Sequence, residues 1–114
     1  MPEEIRISLL GELRVIFGDR EVELPASRKA RALLSFLVAT GRPHRRERLC
    51  ELLWDVPDDP RAALRWALTK IRKVVDTPDR HRIIADRERV NFDLEGTQVD
   101  IRDIHAALRP DAEP

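Results

Sequence analysis

Residues 60–75 read PRAALRWALTKIRKVV, and this stretch decides how the chain is interpreted. It carries five basic side chains and no acidic one, although the whole chain of 114 residues is neutral, with 21 basic and 21 acidic residues. Asp59 is a favourable helix N-cap, and Pro60 suits the first helical position because no backbone N–H is needed there. The pattern therefore predicts a helix from Pro60 to about Val75.

The two faces of this helix differ in character. At about 100° per residue, the residues within about 40° of Leu64 are Leu68, Ile71 and Val75, which predicts a buried stripe. Trp66 points almost opposite, among the basic residues. Since tryptophan is normally at least partly buried, an outward Trp66 indicates a partner. Arginines and lysines without acids favour phosphate contacts. The alternative is a face that is only solvated, with or without pairing to acids from elsewhere in the fold.

Three short segments with strand-like composition precede the helices. They lie at 5–10, 13–17 and 21–24, separated by Gly11 and by the turn at 18–20. Their β-branched and large apolar residues predict three antiparallel strands.

Two further helices are predicted between these strands and residue 60. Ser27 is a good N-cap for RKARALLSFLVAT, whose apolar residues recur at helical spacing, and Gly41 is a typical C-terminal stop. The following RRERLCELLW predicts a shorter helix without a good cap. We expect it to bury Leu49, Cys50, Leu52 and Leu53.

The C-terminal part predicts a hairpin, with strands at 82–85 and 90–94 around a charged turn at 86–89. A basic hairpin soon after a basic helix is the arrangement of a winged helix. The fold class expected is α+β: a winged helix-turn-helix with an N-terminal antiparallel β-sheet, three helices and a C-terminal β-hairpin wing. We expect this domain to span 1–98, with 99–114 starting a helical extension or linker to a following domain.

Three pieces occur in order along the chain: RALLSFLVATGR, RERLCELLW and ALRWALTKIRK. Together with the strands and the hairpin, they resemble the OmpR/PhoB-type winged-helix domain. The resemblance is closest to the antibiotic regulatory protein (SARP) family of bacterial transcriptional activators, and it covers residues 5 to 95. It implies a transcription regulator that binds double-stranded promoter DNA at direct repeats, compatible with a dimer. The helix 60–75 would enter the major groove, and the hairpin 82–94 would act as the wing.

The charge pattern and the resemblance together predict the binding residues. The expected DNA-binding residues are Arg61, Arg65, Trp66, Thr69, Lys70, Arg72 and Lys73 on the third helix, Arg87 and Arg89 in the hairpin, and Arg45 and Arg46 at the start of the second helix. The connector residues Arg80 and Arg82 add to the positive charge near the hairpin. In the family, the loop before the third helix often touches RNA polymerase. Asp55, Asp58 and Asp59 here would meet a polymerase subunit or sigma factor, and an ordinary exposed turn is the alternative.

The sequence carries no pattern typical of an enzyme. His44, His81 and His105 are far apart, without metal-ligand spacing, and we expect His44 and His105 at the surface or half-buried. There is no glycine-rich phosphate loop, no nucleophile elbow and no apolar run of about 20 residues. We therefore expect a cytoplasmic, non-enzymatic protein without cofactor, metal or membrane partner, and a buried Cys50. The competing hypothesis keeps the fold as a protein-interaction module, with another domain covering Trp66.

Overall fold

The computed structural model describes residues 4–54 and 59–100, which form a small α+β domain with three helices and several strands. Residues 101–114 of the expected extension and the residues Asp55 and Asp58 lie outside the described residues. In chain order, the elements are β1 Ile5–Ser8, β2 Arg14–Phe17, β3 Arg20–Glu21, α1 Arg28–Thr40, β4 His44–Arg45, α2 Arg46–Leu53, α3 Pro60–Val75, β5 Ile83–Ala85, β6 Arg89–Phe92 and β7 Thr97–Val99.

The strands form two sheets. The first has the order β3-β2-β1-β7, with antiparallel pairing along β1, β2 and β3 and a parallel pairing of β7 with β1. It is therefore mixed rather than purely antiparallel as predicted. The second has the antiparallel order β4-β6-β5 and contains the predicted hairpin. The third predicted strand lies earlier than expected, at Arg20–Glu21 instead of 21–24.

Local capping explains why the predicted bounds of α1 and α3 are confirmed. The Ser27 hydroxyl accepts a hydrogen bond from the Ala30 N–H at 3.2 Å, and a carboxylate oxygen of Asp59 accepts one from the Ala62 N–H at 3.1 Å. Each bond satisfies a backbone donor that has no partner within its helix. Gly41 ends α1 with φ 63°, a left-handed conformation that glycine adopts without steric cost.

The second helix buries fewer leucines than predicted. Leu49 and Cys50 are buried and Leu53 is half-buried, but Leu52 is 46% exposed. Leu52 lies about 100° around the helix axis from the mean direction of the other three, so it cannot share their face. The prediction that Leu52 is buried is therefore wrong.

One face of α3 is fixed in the protein interior. Its buried residues are Leu64, Ala67, Leu68, Ile71, Val74 and Val75, which include the predicted stripe. They pack with α1, α2 and β5, where α1 contributes five buried residues of its own. The prediction of a buried apolar stripe is confirmed, and the opposite face of α3 is left toward solvent.

A buried arginine joins the end of α3 to the hairpin. Arg82 is 6% exposed, and its Nη1 donates to the Val75 carbonyl at 2.8 Å, while its guanidinium carbon lies 5.4 Å from the centre of the Phe17 ring. Burial, aided by the charge of Arg80, lowers the pKa of Arg82. Asp76 accepts from the backbone N–H of Arg82 at 2.8 Å, which holds the chain where it enters β5. Arg82 therefore belongs to the interior and not to the positive surface on which the sequence placed it.

His44 is also an interior residue, at 7% exposed, so its predicted place at the surface or half-buried is wrong. Its Nε2 lies 2.7 Å from the Thr40 hydroxyl, and its ring centre lies 4.6 Å from that of Phe36. Burial, followed by the charge of Arg42, lowers the pKa of His44. Strand pairing with Val90 draws this histidine against the end of α1.

Candidate nucleic-acid interface

The outward face of α3 carries the positive charge that its sequence predicted. Within residues 4–54 and 59–100, no carboxylate lies within ion-pair distance of any of its five basic side chains. The face is therefore not neutralised by acids from the described fold, and a face that is only solvated stays an alternative. The predicted residues exposed on α3 are Arg61, Arg65, Trp66, Thr69, Arg72 and Lys73, and Lys70 is half-buried.

Three separate segments enclose a groove beside the first half of α3. Its volume is about 670 Å³, and its walls come from the start of α2, the start of α3 and the β5–β6 turn. We call it the arginine groove, after Arg45, Arg46, Arg61, Arg65 and Arg87. Five predicted binding residues thus converge, and five cations outnumber the two glutamates that line the same space. Such a space suits a polyanion.

The remaining lining residues are Glu47, Cys50, Pro60, Leu64 and Glu88. Burial raises the pKa of the Cys50 thiol, against the opposing charges of Arg61 and Arg46. Since a raised pKa favours the neutral thiol, Cys50 adds an uncharged surface to the groove.

The β5–β6 turn is closed by a carboxylate instead of a glycine. One carboxylate oxygen of Asp86 accepts from the backbone N–H groups of Glu88 at 2.8 Å and Arg89 at 2.7 Å. These two backbone hydrogen bonds are the main reason why the pKa of Asp86 is lowered. Aspartate at the first position of a tight turn commonly makes such bonds, and they leave Arg87 exposed at the tip.

Arg46 fixes this turn to the start of α2. Its backbone N–H donates to the Glu88 carbonyl at 2.7 Å, and its side-chain Nε donates to the Asp86 carbonyl at 2.7 Å. Part of the Arg46 guanidinium is therefore committed to the protein itself. Sequence reasoning placed Arg46 among the binding residues and missed this role. The only local signal was the missing cap at the start of α2, which showed that something outside the helix must satisfy its first N–H groups.

The other predicted residues of α3 lie outside the lining of the groove. We call Trp66, Thr69, Lys70 and Lys73 the α3 ridge; these four lie between about 40° and 140° around the helix axis from Arg65. The ammonium of Lys70 lies 5.3 Å from the centre of the Trp66 ring, a cation–π distance. The Thr69 hydroxyl donates to the Arg65 carbonyl at 3.0 Å, so its proton is already used within the helix.

Three predicted residues have local structural roles as well. Arg72 and Lys73 lie in the last turn of α3, where cations stabilise the negative end of the helix dipole. Asp59 caps the same helix at its start. Arg89 lies on β6 directly opposite Arg45 on β4 and is not part of the groove lining.

No protein-family model matches the chain, and no curated protein matches it significantly. Among the described residues there is no group of three histidine, cysteine, aspartate or glutamate side chains placed to hold a metal ion. Within the same residues, no helix has the length and apolar character needed to cross a membrane.

Proposed function

We propose that this chain is the sequence-specific DNA-binding domain of a bacterial transcription regulator with a winged helix-turn-helix fold. In this proposal α3 enters the major groove, and the β5–β6 hairpin is the wing that lies on the adjacent backbone. The observation that carries the proposal is the convergence of five arginines from α2, α3 and the hairpin turn in one groove. A duplex phosphate backbone is the partner that such an array suits best, because arginine can bind phosphate bidentately, although part of the Arg46 guanidinium is already bound to the Asp86 carbonyl.

The dimensions and chemistry of α3 support its role as the recognition helix. It is 16 residues long, which corresponds to about 24 Å, and a helix fits the width of the major groove. Arg61 and Arg65 are exposed toward the groove side and are suited to guanine edges or phosphates. With its hydroxyl proton used internally, Thr69 offers a methyl group, which favours contact with a thymine methyl.

The wider partners follow from the resemblance to transcriptional activators. Direct-repeat promoter DNA would bind two copies of the domain. A polymerase subunit or sigma factor would contact the acidic loop before α3, of which Asp59 is exposed within the described residues. Both contacts belong to the proposal and are tested after DNA binding itself.

Selection from a random duplex library, followed by fluorescence anisotropy over a range of salt concentrations, tests the proposal. We expect log K to fall linearly with log salt concentration, by about 0.9 per phosphate contacted. Arg65→Gln should weaken binding and reduce that slope by about 0.9. Arg6→Gln is the matched control, since Arg6 is an exposed arginine on β1. Absence of any selected sequence, or binding that ignores salt, would refute DNA recognition.

A protein-interaction module is the second candidate, because Trp66 is 52% exposed. On that reading, another domain covers the α3 ridge and no duplex is bound. Tryptophan fluorescence separates the two functions once Trp54 is replaced by phenylalanine. A change in Trp66 emission with selected DNA supports the first, and a blue shift that appears only with the rest of the parent protein supports the second.

A further inference from the structure

Two arginines face each other across the β4–β6 ladder. Arg45 on β4 pairs with Arg89 on β6 in antiparallel register. The neighbouring position is a hydrogen-bonded one, because the Arg46 N–H donates to the Glu88 carbonyl at 2.7 Å. Arg45 and Arg89 therefore occupy a non-hydrogen-bonded position, where antiparallel strands bring opposite Cα atoms to about 4.5 Å and side chains closest together.

Both side chains stand on the solvent face of this sheet. The adjacent pair, His44 and Val90, is buried, and side chains alternate between the faces of a strand, so Arg45 and Arg89 project the other way. Both are exposed. Like charges directly opposite each other destabilise a strand pair, which makes this arrangement unfavourable for folding alone.

Acidic side chains do not relieve this repulsion directly. Within the described parts of the chain, no carboxylate lies within ion-pair distance of Arg45 or Arg89. The charge of Arg89 helps to lower the pKa of Asp86 in the hairpin turn. That carboxylate is already bound to two backbone N–H groups of the hairpin turn. The pair therefore leaves room for an anion from outside the chain.

We infer that Arg45 and Arg89 form a clamp for one phosphate group, and that its occupant is a backbone phosphate of duplex DNA. The phosphate chemistry follows from two guanidinium forks carried side by side at one cross-strand position, because each fork matches the geometry of two phosphate oxygens. The identity of the occupant rests on the proposed function. A bound phosphate turns the repulsion between the two arginines into a shared attraction.

The first experiment measures the coupling between the two arginines without DNA. Arg45→Gln, Arg89→Gln and the double variant are unfolded with urea and followed by tryptophan fluorescence, in chloride and in inorganic phosphate at equal ionic strength. In chloride, either single change should raise the ratio of folded to unfolded protein by about 1.5- to 5-fold, and the double change should add little more. Phosphate stabilises folded proteins in general, so every variant should gain some stability in it, but the original protein should gain more than the variants that lack Arg45 or Arg89.

Arg6→Gln is again the control and should respond to the two salts as the unchanged protein does. Single variants that are less stable than the original protein in chloride would overturn the clamp. An equal response of all variants to phosphate would also overturn it.

The second experiment measures the salt slope of binding to a selected duplex. In each single variant the slope of log K against log salt concentration should fall by about 0.9. The double variant should show the same loss and no more, because the two arginines share one phosphate. DNA binding with unchanged slopes in the variants would overturn the clamp and leave the proposed function standing. Stabilisation by inorganic phosphate through the pair, without any duplex binding, would support the clamp and refute the proposed function.

Discussion

Replacing Arg46 by glutamine tests whether the start of α2 holds the hairpin in place. The side-chain Nε donates to the Asp86 carbonyl at 2.7 Å, and the backbone N–H donates to the Glu88 carbonyl at the same distance. Glutamine removes the charged side-chain bond and leaves the backbone bond intact. The substitution therefore weakens one of the two links between α2 and the turn.

The expected size of the effect follows from the exposure of this bond. A hydrogen bond to a charged group contributes about 1.5–3 kcal/mol, and solvent screening at this partly exposed site reduces it to about 1 kcal/mol. An energy of about 1 kcal/mol corresponds to about a fivefold change in an equilibrium constant. If the hairpin must be in place for binding, DNA affinity should fall by at most about fivefold. The salt slope should stay the same, because no phosphate contact is lost.

Amide hydrogen exchange and anisotropy measure the two halves of this prediction. In Arg46→Gln, exchange of the Glu88 and Arg89 amides should speed up. Arg61→Gln is the matched control, because Arg61 lines the same groove and its side chain makes no hydrogen bond or ion pair with the described residues. It should lower the salt slope by about 0.9 and leave amide exchange unchanged. A slope loss of about 0.9 in Arg46→Gln, with unchanged exchange, would show that Arg46 contacts phosphate and does not position the hairpin.

Three further changes test the fold around the interface. Leu68→Ala should lower the free energy of unfolding in urea by about 2–5 kcal/mol, whereas Lys73→Ala on the exposed face should change it by about 0.5 kcal/mol or less. Arg82→Ala, which frees the Val75 carbonyl, should lower it by about 2 kcal/mol in the same assay. Because the folded pKa of Asp86 is lowered, its contribution to the stability of the hairpin turn is present above about pH 4 and is lost as pH falls through the folded pKa. Amide exchange at the turn should therefore speed up at acid pH, and Asp86→Asn should abolish that acid transition.

The helices could be predicted because their signals are local. Ser27 and Asp59 cap α1 and α3 from within three residues, Gly41 stops α1, and the apolar spacing defines the buried face. The outward position of Trp66 follows from the same spacing. These features depend on residues that are neighbours in the chain, so one sequence is enough to find them.

The missed features depend on pairing between distant residues. The strand β4 is only His44–Arg45, and it exists because residues 89 and 90 lie beside it. The strand β7 pairs in parallel with β1 from more than 90 residues away, and a carboxylate of Asp100 secures it by accepting from the Ser8 hydroxyl at 2.7 Å. Neither segment shows a strand-like run of its own. The burial of His44 and the position of Arg45 opposite Arg89 both follow from the pairing of β4 with β6, which is why the sequence did not reveal them.

The uneven distribution of charge along the chain explains how a neutral protein presents a positive surface. Residues 4–24, which form β1 to β3, contain five acidic and three basic residues, whereas α3 contains five basic and none acidic. Among the described residues, the acids of this sheet make no ion pair with α3, and Glu21 pairs across strands with Arg14 at 2.7 Å within the sheet itself. On the proposed function, a duplex would be attracted to the side that bears α3 and repelled by acids elsewhere. We therefore expect the N-terminal sheet to face away from bound DNA, free to carry contacts to protein partners.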